Sequence, residues 1–212
     1  MKDMPVFSTE LGVASLVLRE IPYRKEAYIR YRSGDNIAAF LEECRSFCVA
    51  VGAEHVFVTG VEDASLYPEY ATILKMQIPV ESLPESDASL FPVQENSLEL
   101  WQKWYNEKMQ NVPVASYMSD RKAKEMLEKG SAYFVHKNGV CIGIGAVSDH
   151  TLQAVAALAP GAGAETVAAL CRGLLFEDVS LEVASTNRKA MRLYQKLGFV
   201  TVAKVETWYR ML

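Results

Sequence analysis

Thirteen residues, Asn187-Arg-Lys-Ala-Met-Arg-Leu-Tyr-Gln-Lys-Leu-Gly-Phe199, constrain this 212-residue chain more than any other stretch. Asn187 can cap a helix that begins after it, because its side-chain oxygen can accept one of the unpaired N–H groups of a first turn. Ala190, Leu193, Tyr194 and Leu197 then recur at the three- and four-residue spacing of one helical face. Gly198 stands where a left-handed C-terminal cap is wanted, and Phe199 opens a β-rich run from Val200 to Val205. Before the helix, Val179-Ser-Leu-Glu-Val183 alternates as a strand does. The unit is strand, Asn-capped helix, glycine stop, strand.

The region upstream of this unit reads as regular elements. Leu90–Val93 is a short strand. Asn96 and Glu99 have capping-box spacing ahead of a helix whose apolar face is Leu98, Trp101, Tyr105 and Met109. Pro113 breaks that helix, and Ser119 can cap a second, Asp120–Lys129. Strands over 132–137 and 140–148 flank Asn138-Gly139, a strong hairpin signal. A strand over 151–159 stops at Pro160, and a helix runs from about Ala164 to Leu174. The order is β-α-α-β-β-β-α-β-α-β, an α+β chain around a mixed sheet. Only 14 residues follow Gly198, so a separate seventh strand is missing or merged with the sixth.

Pro79-Val-Glu-Ser-Leu-Pro-Glu-Ser-Asp-Ala-Ser89 has no period and is rich in proline, serine and acids, which marks a linker. It suggests a division into 1–80, a linker over 81–89, and 90–212. In the first part, Val13–Ile21 and Lys25–Arg32 read as strands joined at Pro22-Tyr23. Asp35 can cap a helix with Ile37, Phe40, Leu41, Cys44, Phe47, Cys48 and Val51 inward, ended by Gly52. His55–Thr59 is a strand, Leu66 to Tyr70 a connector, and Thr72–Ile78 a strand. This β-β-α-β-turn-β order echoes the back half of the larger part, with Leu66-Tyr67 in the place of Leu193-Tyr194. A duplication would explain the echo; an unrelated α+β cap, or strands extending one sheet, would give the same order.

Composition narrows the partners. The formal net charge is −4, so there is no basic excess to neutralise phosphates, and nucleic acid is not expected. No apolar run approaches the roughly 20 residues that span a bilayer, and Met1-Lys-Asp-Met-Pro-Val lacks the layout of a signal peptide. Cys44, Cys48, Cys141 and Cys171 have no metal spacing; Cys44 and Cys48 share a helical face and read as buried thiols of a reducing cytoplasm. His55, His136 and His150 are scattered, so no metal site is expected.

The Asn…Ala…Leu-Tyr…Leu-Gly-Phe string closely resembles the last motif of the GCN5-related N-acetyltransferase (GNAT) superfamily, and the short ending Phe199–Leu212 looks most like its glycine-N-acyltransferase-like branch. The resemblance implies the acyl-CoA N-acyltransferase fold, with 1–80 a truncated half of it, and acetyl-coenzyme A as cosubstrate. It also implies a V-shaped opening between the strand ending near Pro160 and the strand starting near Val179. By resemblance, backbone groups of Ala156, Ala157 and Leu158 would grip the pantetheine. The pyrophosphate turn would be Pro160-Gly161-Ala162-Gly163-Ala164, at a helix start where free N–H groups meet anions. This turn departs from the family pattern: its basic or amide residue is absent, and Glu165 brings a negative charge.

Tyr194 is then the acid for the departing thiolate, or a core tyrosine packed with Leu181 and Phe199. Asn187 can cap its helix and also bond the cofactor arm. Glu182, at an offset from the tyrosine resembling that in N-terminal acetyltransferases, is the base for the amine, or else a solvent-facing glutamate on an alternating strand. The acceptor pocket would be lined by Asn111–Ser119 and by the helix of Trp101, Trp104 and Tyr105, with Trp104, Tyr117 and Met118 shaping it. The leading expectation is an N-acetyltransferase acting on the amine of a small molecule or peptide. The alternatives are a catalytically degenerate member that binds coenzyme A or a protein partner, and a dimerisation module, with a homodimer possible.

Overall fold

The computed structural model describes residues 5–61, 67–173 and 177–211. Leu66 of the expected connector and Leu174 at the expected helix end lie outside them. The chain divides into two compact units, one running to Ile73 and resuming at Lys204, the other spanning Leu74–Ala203. The 81–89 stretch therefore sits inside the second unit. No helix is long and apolar enough to cross a membrane among the described residues.

The first unit is built from β1 (Val6–Thr9), β2 (Gly12–Val17), a helical turn α1 (Ile21–Arg24), β3 (Glu26–Gly34), α2 (Ile37–Ala50) and β4 (His55–Thr59). It is completed by the first part of β5 (Glu69–Pro79) and the last part of β11 (Val200–Arg210). Its strand order is β1-β2-β3-β4-β11-β5. β1 was not anticipated, and the expected Pro22-Tyr23 link is α1, closed by Lys25 in the left-handed region at φ 59°. The pairing of β3 with β4 is parallel, so the chain must cross over between them, and α2 is that crossover.

Asn36, not Asp35, caps α2 by accepting the Ala39 N–H, since only Asn36 stands three residues before that donor. Phe40, Leu41, Cys44 and Cys48 of α2 are buried against Ala14, Leu16, Ala27, Ile29, Val56 and Val58. Phe47 and Val51, expected inward, are 39% and 45% exposed. Phe47 instead meets Phe7 of β1, ring centroids 5.2 Å apart. The opposite face of this sheet carries Tyr28 stacked on Phe57, Phe57 on Tyr70, and Trp208 edge-on to Tyr28. Beside them Glu26 accepts from the Tyr28 hydroxyl at 2.7 Å and pairs with Arg24 at 2.8 Å.

The second unit follows with β6 (Ser89–Pro92), α3 (Leu98–Met109), α4 (Asp120–Glu128), β7 (Ala132–Lys137), β8 (Val140–Ser148), β9 (Thr151–Ala157), α5 (Gly163–Arg172), β10 (Asp178–Ala184) and α6 (Arg188–Leu197). Its strand order is β5-β10-β9-β8-β7-β6, with β9 and β10 parallel and β6 to β9 antiparallel. The capping box ahead of α3 is formed by Gln94 and Ser97 rather than Asn96 and Glu99, because a 3₁₀ turn over Glu95–Ser97 precedes the helix. β11 is one eleven-residue strand, so among the described residues no separate seventh strand follows α6.

Helices cover both faces of this sheet. α5 and α6 pack Val167, Leu170, Cys171, Tyr194 and Leu197 on Val135, Ile142, Val147, Leu152, Val179, Leu181 and Val183. α3 and α4 pack Leu98, Trp101, Tyr105, Ala123 and Met126 on Phe134, Ile144, Ala146, Ala154 and Ala156. α5 comes so close to β8 that a Cβ at Gly143 or Gly145 would collide with Thr166 or Leu170. Gly198 ends α6 at φ 99°, the left-handed conformation that only glycine adopts without penalty.

The 81–89 stretch is strapped along α5. The Arg172 guanidinium donates to the carbonyls of Glu81, Leu83 and Pro84, and the Ser86 hydroxyl donates to Glu165 at 2.7 Å. Val80 and Leu83 are buried in the α5/α6 core. A polar, proline-bearing sequence is thus ordered by a few anchors rather than by a periodic apolar face.

Candidate active site

The site is built around the divergence of β9 and β10. Among the described residues their parallel ladder holds only Thr151 with Ser180 and Leu152 with Leu181. Beyond it β9 continues along β8 alone. The β8–β9 register passes from Val147/Leu152 to Ala146/Ala154, so Gln153 is an extra, bulged residue.

A bulge reverses which backbone groups face which neighbour. The Leu158 N–H donates to the Ile142 carbonyl at 2.9 Å, as does the Ala159 N–H at 3.2 Å. By the two-residue alternation of an antiparallel ladder, Ala156 also turns its N–H and C=O toward β8. Ala157 and Val155 turn theirs to the β10 side. Of the three positions expected to grip a pantetheine, Ala157 faces the opening, and Val155 joins it.

Past the opening, Pro160-Gly161-Ala162 turns the chain into α5. Gly161 holds φ 78°, which a larger residue would resist. Ala162 is the N-cap and supplies no side-chain acceptor, so the first N–H groups of α5, at Gly163, Ala164 and Glu165, have no partner within the helix. Thr166 is already engaged, its N–H and hydroxyl both donating to the Ala162 carbonyl. A Cβ on Gly163 would stand 3.1 Å from Leu193 of α6, so this turn and the Asn187–Phe199 helix are in close contact.

The charge of Glu165 is met. Lys137 Nζ lies 3.2 Å from Glu165 and 2.6 Å from Asp87, so one cation from the end of β7 serves two carboxylates. The hydrogen bonds to Asp87 and then Glu165 push the Lys137 ammonium pKa above its ordinary value, and that to Lys137 holds Asp87 below the usual carboxylate range. Lys137 was missed in the sequence. Nothing local marks a lysine before an Asn-Gly turn as the neighbour of a residue 28 positions later.

Tyr194 is 7% exposed, its ring 5.6 Å from Phe199, in the core with Leu181 and Val183. Burial, with the nearby Cys171 thiol second, pushes its phenol up to about 12, so the hydroxyl keeps its proton at neutral pH. Asn187 caps α6 by accepting the Ala190 N–H at 3.2 Å, which leaves its amide nitrogen as the group that could reach a ligand. Glu182 is exposed and shares a strand face with Ser180, opposite Leu181 and Val183. Tyr194 and Glu182 therefore stand on opposite faces of the sheet and are not brought into contact.

On the Glu182 face lies a cavity of about 320 Å³ walled by Tyr105, Met118, Met126 and Ala154, with Lys122, Glu125, Lys129 and Gln153 around them. A wider hollow of about 520 Å³ at Gln94, Glu95 and Asn96 holds none of the candidate side chains. Of the residues expected to shape an acceptor pocket, Met118 and Tyr105 line the cavity. Trp104 packs edge-on against Phe134 instead, and Trp101 is fully buried with its indole N–H on the Tyr133 carbonyl. The loop before α4 is clamped by α3: Asn106 and Gln102 bond the backbone of Met118, and Tyr105 bonds that of Ser116. Among the described residues no group of His, Cys, Asp and Glu side chains could hold a metal ion.

No family model matches the sequence, and no curated protein matches it. Solved structures do. A functionally unknown conserved protein from Staphylococcus epidermidis is 14% identical, with a TM-score of 0.58 over 99% of this chain and 94% of that one. A GCN5-related N-acetyltransferase from Sphaerobacter thermophilus is 12% identical, with a TM-score of 0.57 over 93% of this chain and 75% of that one. A GNAT-family acetyltransferase from Colwellia psychrerythraea is 12% identical, with a TM-score of 0.51 over 97% of this chain and 84% of that one. The fold is that of the GCN5-related N-acetyltransferases.

Proposed function

We propose that this protein is an N-acyltransferase, moving the acetyl group of acetyl-coenzyme A to the amine of a small molecule or peptide, and that it belongs to the glycine-N-acyltransferase-like branch of the GNAT superfamily. The observation that carries the reading is the opening between β9 and β10, followed in the chain by the α5 turn with its free first N–H groups. The residues present fit the cofactor. Val155 and Ala157 offer backbone groups along the opening for a pantetheine arm. Gly161, Gly163 and Ala164 form the approachable turn whose N–H groups suit a pyrophosphate. Asn187 lies at the start of the neighbouring helix.

Acetyl-coenzyme A supplies an activated acyl group and a thiolate leaving group. Tyr194, protonated, donates its phenolic proton toward the thiolate. Glu182 takes the amine's proton, directly or through water, from the face that holds the cavity. Acid and base on opposite faces suit an acceptor and a donor that enter from opposite sides. The first unit serves as a truncated half of the same fold, and the working location is the cytoplasm.

One observation favours a second reading, a degenerate member that binds coenzyme A or a protein partner, with or without a homodimer. The α5 turn has no cation of its own, and two carboxylates share Lys137 beside it. Thermal denaturation with and without acetyl-coenzyme A tests both readings. Ligand at 100 times its Kd adds about 2.7 kcal/mol. Stabilisation with coenzyme A release on adding amines supports the enzyme; stabilisation without release supports the binder; no stabilisation removes both cofactor readings.

A further inference from the structure

One face of α3 is committed to the backbone of one loop. Asn106 Oδ1 accepts the Met118 N–H at 2.8 Å, and Asn106 Nδ2 donates to the Met118 carbonyl at 3.1 Å. A single carboxamide thus pairs with both backbone groups of one residue, as a neighbouring strand would. Gln102 Nε2, one helical turn earlier, donates to the same carbonyl and to Asp120, each at 2.9 Å. The Tyr105 hydroxyl donates to the Ser116 carbonyl at 3.3 Å. Within this loop Val114 holds φ 60°, a conformation that a β-branched residue keeps only where its surroundings over-determine it. The residue fixed most firmly, Met118, is 1% exposed and walls the cavity with Tyr105, Met126 and Ala154.

We propose that Gln102 and Asn106 are positioning residues for acceptor selectivity: by pinning Met118 they fix the cavity wall against which the body of the acceptor amine packs. The inference rests on the acyl-transfer reading above. A surface loop between two helices ordinarily satisfies its backbone groups with water and tolerates movement. Here two amide side chains replace that water at a buried methionine, so the wall has one position. Both lie on the sheet face opposite Tyr194 and the α5 turn. Loosening them therefore changes how the acceptor fits and leaves acetyl-coenzyme A untouched. The lining joins Tyr105, Met118, Met126 and Ala154 to Lys122, Glu125, Lys129 and Gln153, so the property selected is the fit of an amine whose body carries both apolar and polar parts.

The experiment is steady-state kinetics of the full chain with acetyl-coenzyme A and amines of graded bulk: ethanolamine, isoamylamine, phenethylamine, tryptamine and spermidine. Coenzyme A release is followed with a thiol-reactive dye. Asn106→Ala leaves both backbone groups of Met118 without their partner. It should raise KM for the preferred amine about tenfold and flatten the ranking among amines, a change matched to the loss of buried hydrogen bonds. Its kcat and its KM for acetyl-coenzyme A should stay within about twofold, because no reacting group has moved.

Asn106→Asp, which keeps the acceptor for the Met118 N–H, should recover part of the ranking, and the milder Gln102→Ala should shift it in the same direction. Amide exchange should speed at Met118 in step with the change in KM. An unchanged ranking despite faster exchange at Met118 overturns the inference, as does a joint rise of both KM values with a lowered Tm. Wild-type protein that turns over none of the amines overturns the acyl-transfer reading and this inference with it, an outcome distinct from turnover without selectivity.

Discussion

Glu165 and Lys137 meet at 3.2 Å at the first turn of α5, so the carboxylate at this helix start is met by a cation from the end of β7. Lys137 is shared with Asp87, which leaves the cluster one negative charge in excess. Two effects then oppose each other. A carboxylate at a helix start stabilises the helix by about 0.3–1 kcal/mol. On the proposed function, the same carboxylate would repel a phosphate brought to that turn.

Glu165→Gln separates these effects, since the amide can still accept from Ser86 but carries no charge. Stability should fall by about 0.5 kcal/mol. Affinity for coenzyme A should rise about twofold to fivefold at low ionic strength, with the gain shrinking as salt screens the charge. Titration calorimetry at two salt concentrations checks this. Equal affinity for wild type and variant at low salt would place the phosphates away from Glu165.

Buried thiols predict the alkaline limit. Burial pushes the Cys44 and Cys171 thiols up to about 12 and Cys48 up to about 11, from an ordinary value near 9. Their folded-state pKa values are raised. The stabilisation is thus fully present below pH 9, where thiols are neutral in both states. It is lost as pH rises from about 9 toward 12, where the unfolded chain ionises first. The urea midpoint should hold steady between pH 7 and 8.5 and decline steadily above pH 9. Cys171→Ala should flatten part of that decline; an unaltered slope would mean that this thiol reaches water in the folded protein.

Much of the architecture was legible because it is written locally. The periodicity of Ala190, Leu193, Tyr194 and Leu197, the glycine after it and the Asn138-Gly139 turn all act within a few residues. The misread caps differ for a reason also visible locally: Asp35-Asn36 and Gln94-Glu-Asn-Ser97 each offer several good capping side chains, and only the backbone decides which one faces the N–H. What was not legible depends on distant partners. The bulge at Gln153 follows from how β9 meets β8, and no residue type announces it. The pairing of Lys137 with Glu165, and that of Asn106 with Met118, arise only once the sheet has placed them together.

Asn187 holds two proposed roles that substitutions can separate. Asn187→Ala removes the acceptor of the Ala190 N–H and should cost about 1 kcal/mol of stability. Asn187→Asp restores the cap and removes the amide nitrogen that could donate to the cofactor arm. Chemical denaturation should therefore show Asp close to wild type and Ala below it, while coenzyme A affinity falls in both. Wild-type affinity in the aspartate variant would leave Asn187 with its capping role alone.

Tyr194→Phe decides whether the motif tyrosine acts or only packs. The ring is buried against Phe199 and the α5/α6 core, and phenylalanine keeps that shape while deleting the hydroxyl. A general acid typically contributes about 10²–10⁴-fold to rate, so kcat should fall by that order with coenzyme A affinity and Tm nearly unchanged. Because burial holds the phenol up to about 12, the wild-type rate should show no loss from its ionisation below about pH 10. A base on the other face would be seen separately, as a loss of kcat in Glu182→Gln with coenzyme A affinity unchanged. Turnover retained in Tyr194→Phe would return the residue to the core and leave the departing thiolate to take its proton from solvent.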